Sequence, residues 1–169
     1  MVVDPKEQAS FLAGLRKMAE EASAKNPVLG ELRRLGKALV EESRRRMAAG
    51  LVMHAIGAYI SADERLVLLK PQANDSGEAY SEMVATLTKL VQSSEIRAVG
   101  IATLVETNSP LSPVTHVKVR VEHSTGVALM NSMPAKESDL MAGVPGTDGP
   151  AVAVYAGKVK PIIFPQRSS

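Results

Sequence analysis

Apolar residues recur along this chain with two periods, one of three to four residues and one of two. Between Asp4 and about Lys25, Phe11, Leu12, Leu15, Met18, Ala19 and Ala22 follow the longer period. Lys6, Arg16, Lys17, Glu20 and Glu21 mostly fall between them, so the spacing predicts a helix with one buried stripe. Asp4-Pro5-Lys6-Glu7 supplies a cap, a proline at the first helical position and a carboxylate three residues on. Asn26-Pro27 repeats that signal and predicts a second helix to about Ala49, its stripe running through Leu29, Leu32, Leu35, Leu39 and Val40 and its end marked by Gly50.

The shorter period takes over from there. Leu51 to Ile60 is apolar and β-compatible, Ser61-Ala62-Asp63-Glu64 has turn chemistry, and Arg65 to Lys70 completes a first hairpin that Pro71 ends. Asn74-Asp75-Ser76-Gly77-Glu78 offers caps for a middle helix carrying Tyr80, Met83, Val84, Leu87, Leu90 and Val91 at helical spacing. Ile96 to Glu106 is apolar at both parities, as a strand covered on both faces requires.

After the loop Asn108 to Pro113, Thr115 to His123 alternates strictly. Val117, Val119 and Val121 lie on one face; His116, Lys118, Arg120 and Glu122 lie on the other, which is expected to meet water. Ser124-Thr125-Gly126 turns the chain into a return strand, Val127 to Met133, stopped by Pro134. A helical turn around Glu137 to Met141 and a Gly/Pro loop at 143–150 follow. Ala151 to Ala156 and Lys158 to Phe164 then read as a last strand or hairpin around Gly157, with Pro161 confining it to a sheet edge.

The fold class expected is therefore α+β: two N-terminal helices, then a mainly antiparallel sheet of five to six strands with one middle helix, in the order α-α-β-β-α-β-β-β(-β). One domain is expected over residues 1–169, with a helical segment at 1–50, sheet and middle helix at 51–164 and a tail at 165–169.

Composition narrows the chemistry. The 169 residues contain no cysteine, which excludes disulfides, a thiol nucleophile and thiolate metal ligands. With no signal-like N-terminus and no long apolar run, the expected address is the cytoplasm, without a membrane span. The net charge is only +2, but it is uneven: residues 1–50 hold ten Lys and Arg against seven Asp and Glu, the rest ten against eleven. Aromatic residues make up 3% and Trp is absent, leaving few platforms on which bases could stack, so a nucleic-acid partner is disfavoured.

No motif specifies a reaction or a cofactor. His116 and His123, seven apart, should face opposite sides of a regular strand and cannot share a metal ion without a bulge; His54 lies in another segment. His116, Lys118 and Arg120 form a cationic stripe, whose plain reading is a solvated face and whose functional reading is a ligand-binding cleft closed by the 143–150 loop. Glu106 and Glu122 are conceivable as the paired carboxylates of a glycosidase. Arg44-Arg45-Arg46, with Arg33, Arg34 and Lys37, makes the second helix basic, yet Glu41 and Glu42 dilute it and its last turn is where cations suit the helix dipole. The glycines of 143–149 lack both the strand-loop-helix setting and the lysine of a phosphate loop, and no Gly-x-Ser-x-Gly elbow marks a serine hydrolase.

From about Ala49 to Phe164 the order of elements resembles that of profilin, longin and roadblock modules, without the terminal helix common there. The resemblance is one of order alone and transfers no functional residue. By elimination, the sequence points to a noncatalytic binding or assembly module, partnered by a second copy of itself or by another protein. The alternative is a small enzyme or ligand-binding protein using the cleft at His116, Lys118 and Arg120.

Overall fold

Asn26 is extended and its side chain accepts the Leu29 N–H at 3.3 Å, while Pro27 occupies the first turn; together they open α1 (Pro27–Ala48). The helix ends as its sequence predicts. Gly50 takes a positive φ of 68°, its N–H donating to Met47 O and that of Leu51 to Arg46 O, so the last carbonyls are satisfied. Leu32, Leu35, Leu39 and Val40 form the buried stripe, joined by Ser43, whose hydroxyl donates to Leu39 O at 2.7 Å.

The computed structural model describes residues 25–51, 54–107, 114–134 and 157–165, together with scattered positions between 6 and 21. The elements after α1 are β1 (Ala55–Ser61), β2 (Leu66–Leu69), α2 (Ser76–Ser93), β3 (Ile96–Thr107), β4 (Val114–His123), β5 (Ala128–Pro134) and β6 (Gly157–Lys158). The strands form one sheet in the order β2-β1-β3-β4-β5-β6, antiparallel throughout.

Each helix takes one face of the sheet. The α1 stripe packs on Ile56, Ala58, Ile60, Ala98, Ala102, Val117, Val119 and Val121. On the opposite face, Ala79, Met83 and Leu87 of α2 pack with Ala55, Val99 and Ile101, and with Ile163 and Phe164 from the C-terminal end. β3, central and double-faced, is the strand whose two parities are both apolar. α1 packs on β1, β3 and β4, whereas α2 packs chiefly on β1 and β3. Among the described residues no helix covers the α2 face of β4 and β5.

Three expectations change. The first strand begins at Ala55 rather than Leu51. The strand expected from Lys158 to Phe164 stops almost at once: Gly157 and Lys158 pair with β5, Val159 N–H donates to Ala128 O, and the chain then leaves the ladder at Pro161, which has no N–H to give. Met18, expected on a buried stripe, is 67% exposed. The other described positions between 6 and 25 are helical and exposed, and Phe11, Leu12 and Leu15 lie outside the described residues. The turn at 137–141, the loop at 143–150 and the strand at 151–156 lie outside them as well.

Candidate functional site: a cationic cleft beside a buried carboxylate

Strand register assembles this site. Arg120 stands between Ile101 on β3 and Met130 on β5, Lys118 between Thr103 and Ser132, and Glu122 between Val99 and Ala128. Directly paired residues share a face, so these three rows lie together on the α2 side of the sheet. Tyr80 of α2 forms a wall, and a cleft of about 100 Å³ opens between it and the strands, lined by Tyr80, Ile101, Thr103, Lys118, Arg120 and Met130.

The stripe expected to meet water does so only in part. Lys118 is exposed, but the Arg120 side chain is 15% accessible and Glu122 is fully buried. The cause is the C-terminal strap, residues 159–165, which returns about forty positions later to cover the β4 end of the row. Glu122 Oε1 accepts the N–H groups of Ile162 at 3.1 Å, Ile163 at 2.9 Å and Phe164 at 3.2 Å, and Oε2 takes a second contact from Ile162 at 3.0 Å. A carboxylate out of water needs such partners, and three consecutive amides supply them. Arg120 completes the arrangement: its NH1 donates to Lys160 O at 2.8 Å and lies 3.4 Å from Glu122 Oε2. Its Nε is shielded from water and has no partner among the described residues.

Of the three residues singled out in the sequence, Lys118 and Arg120 line the cleft and His116 does not. His116 sits two positions along the strand, opposite Val105 and Pro134, with its Nδ1 buried and unpartnered among the described residues. Sequence reasoning missed Tyr80, Thr103 and Met130 as neighbours of the stripe, because pairing, not local pattern, brings them there. Glu106 and Glu122 cannot act as a carboxylate pair. They lie opposite Thr115 and Val99, seven register steps apart, or roughly 23 Å at 3.3 Å per residue, against the roughly 5–9.5 Å that glycoside hydrolysis needs.

A second polar cluster lies on the other face, around His123. Its Nδ1 accepts the backbone N–H of Thr125 at 3.1 Å, with Thr125 Oγ1 2.9 Å from the same nitrogen, and Nε2 meets Glu31 Oε2 at 2.8 Å. Glu31 also pairs with Arg97, which reaches Glu64 at 3.0 Å; Arg34 donates to the Glu64 carbonyl at 3.0 Å. Hydroxyl, imidazole and carboxylate are thus in line, as in a hydrolase triad. The amides of this turn offer no oxyanion hole: Thr125 N–H is used by His123, Ser124 N–H by Arg97 O and Gly126 N–H by His123 O. The cluster ties the β1–β2 and β4–β5 turns to α1.

The basic end of α1 is partly neutralised. Glu42 accepts from Arg45 at 2.7 and 2.8 Å and from Arg46 at 3.0 Å; these hydrogen bonds, Arg45's first, hold its carboxyl down at about 2. Among the described residues no three His, Asp or Glu side chains converge as a metal site would require, and no helix is long and apolar enough to cross a membrane. No family profile matches the chain, and no curated protein or solved structure matches it.

Proposed function

We propose that this chain is a noncatalytic binding module whose ligand is a small oxyanion, of the phosphate or carboxylate class, taken up in the cleft between α2 and β4–β5. One observation carries the reading: Lys118 and Arg120 share a small cleft in which the guanidinium is already positioned from behind by Glu122 and Lys160 O. Glu122 accepts three strap amides and still lies 3.4 Å from Arg120, so the exposed Lys118 ammonium supplies the net positive charge that the cleft offers a ligand. Tyr80 and Thr103 bring hydroxyl-bearing side chains to the lining, whereas Ile101 and Met130 supply apolar floor, the mixture usual in ligand sites. Among the described residues no nucleophile with an oriented base faces this cleft, and binding rather than turnover is the role we assign to it.

A cleft of about 100 Å³ has room for an anion the size of phosphate or a short carboxylate. For a five-atom anion the ceiling of about 1.5 kcal/mol per non-hydrogen atom puts Kd no tighter than roughly micromolar. Calorimetric titration with phosphate at constant ionic strength tests the reading. Saturable binding that weakens at least tenfold in Lys118→Met supports it, and binding indistinguishable from that of chloride overturns it.

A homo-oligomeric assembly role is the second reading, favoured by β2. Among the described residues this four-residue strand ends the sheet with no strand on its outer edge, and its Leu68 is 39% exposed. Light scattering across a dilution series decides it: a dimer persisting on dilution sends the search to that edge, and a monomer removes it. The likeness in element order to profilin, longin and roadblock modules and a cytoplasmic setting belong to the same proposal, supported by the strand-strand-helix-strand order and the absence of cysteine.

A further inference from the structure

We infer that the cleft and the C-terminal strap are coupled through Arg120, so that an oxyanion in the cleft holds the strap down and a docked strap tightens the cleft on its oxyanion. This rests on the oxyanion reading above. One guanidinium serves both sites: NH1 donates to Lys160 O in the strap, while the side chain lines the cleft. Two positions along the same strand face, Glu122 holds the next three strap amides and lies 3.4 Å from that same NH1. Strap and ligand therefore draw on the same rows of β4, with no intervening element to absorb a change.

The sign of the coupling follows from what each partner does to Arg120. Arginine loses much rotamer freedom when fixed. The strap, by fixing it, removes that loss from the binding of an anion; an anion, by fixing it, removes the same loss from strap docking. The two events are then cooperative, and by linkage the factor must be the same in both directions. Ile163 and Phe164, only 4% and 7% exposed, anchor the strap in the α2 core, the cluster to which the cleft residues Ile101 and Tyr80 also belong, so strap docking can be weakened without replacing a residue that lines the cleft.

Hydrogen exchange at the Ile162, Ile163 and Phe164 amides reads strap opening directly, because these are the groups that Glu122 holds. With saturating phosphate, against chloride at equal ionic strength, their exchange should slow about five- to tenfold. Phosphate affinity in Ile163→Ala, or in the milder Phe164→Leu should either position prove needed for folding, should fall with strap docking and by no more than that factor. Phosphate that binds the wild-type chain yet leaves the three amides unchanged overturns the coupling and leaves the binding site standing. Failure of phosphate to bind at all overturns both.

Discussion

Gly57 and Gly100 lie one register step apart on β1 and β3, Gly57 opposite Ile101 and Gly100 opposite Ala58, and each marks the point where a helix comes down on its own face of the sheet. A Cβ at Gly100 would stand 2.7 Å from Leu39 Cδ1 and 3.2 Å from both Leu35 Cδ2 and Val121 Cγ1; one at Gly57 would stand 2.8 Å from Met83 Sδ. Both glycines are there for closeness rather than for an unusual φ, since neither has a positive one.

The two sites should therefore respond unequally to alanine. At Gly100 the added methyl meets three branched side chains, two of them from α1, and Leu35 and Leu39 are fully buried. Gly100→Ala should cost about 1–3 kcal/mol in denaturant unfolding, the usual range for overpacking. Gly57→Ala should cost less, because an unbranched thioether can swing aside. Equal losses would mean that α1 and α2 dock with the same tolerance, contrary to this packing.

Glu122 is the residue on which the strap depends. Glu122→Gln keeps the shape but removes the charge from an acceptor of three amides and a neighbour of Arg120. Hydrogen bonds to a charged group contribute about 1.5–3 kcal/mol, so a loss of that order is expected in urea melts, with the largest rise in amide exchange confined to 162–164. Glu122→Ala should be worse, leaving buried amides unpaired.

Much of this architecture was legible in local sequence, and the reason is visible in its caps. Asn26-Pro27, Asp75 and Gly50 act within three residues of themselves, and their side chains or φ angles do what their chemistry predicts. The strict alternation of 115–123 likewise assigned both faces of β4. What parity could not give was what covers each face. Glu122 reads as exposed beside Lys118 because the strap that buries it lies forty residues on, and Tyr80 joins the cleft only through the placement of α2 over β3. Pro161 was the available signal. It foretold a sheet edge, and the strap leaves the ladder there.

The acid response of stability should report Glu42. Its carboxyl is lowered from an ordinary 4.5 to about 2, chiefly by the Arg45 hydrogen bond and then by Arg46. A carboxyl depressed on folding stabilises the native state at pH above its unfolded value, and that contribution is lost as pH falls from about 4.5 through about 2. Asp63, lowered first by Ser61 and then by Arg65, and Glu82, lowered by the Gln72 and Ala73 amides, act in the same direction. Glu42→Gln should flatten the fall in Tm across that window by lowering Tm above about pH 4.5, where the wild-type contribution is present, while changing little near pH 2; an unchanged slope would place the acid sensitivity elsewhere.

His123 offers a spectroscopic check on the cluster opposite the cleft. Because Thr125 N–H points at Nδ1, the neutral ring should carry its proton on Nε2 and donate it to Glu31. Long-range nitrogen-15 correlation should find the Nε2–H tautomer in the wild-type chain. Finding the proton on Nδ1 would break the proposed order of donors through Glu31 to Arg97.

Lys118 and Arg120 should separate binding from folding. Lys118 is exposed and makes no contact with the strap among those described, so Lys118→Met should weaken phosphate binding with a change in stability of no more than about 0.5 kcal/mol, as for other surface substitutions. Arg120→Lys is the sharper case. It preserves the charge in the cleft, but a lysine ammonium is a point donor on a flexible stem and cannot keep the guanidinium fork between Lys160 O and the ligand. Phosphate affinity and protection of the 162–164 amides should therefore fall together in Arg120→Lys, whereas Lys118→Met lowers the first and spares the second apart from the share that the bound anion itself supplies. If Arg120→Lys retains wild-type affinity, net charge alone explains binding, and the positioned guanidinium has no special part in it.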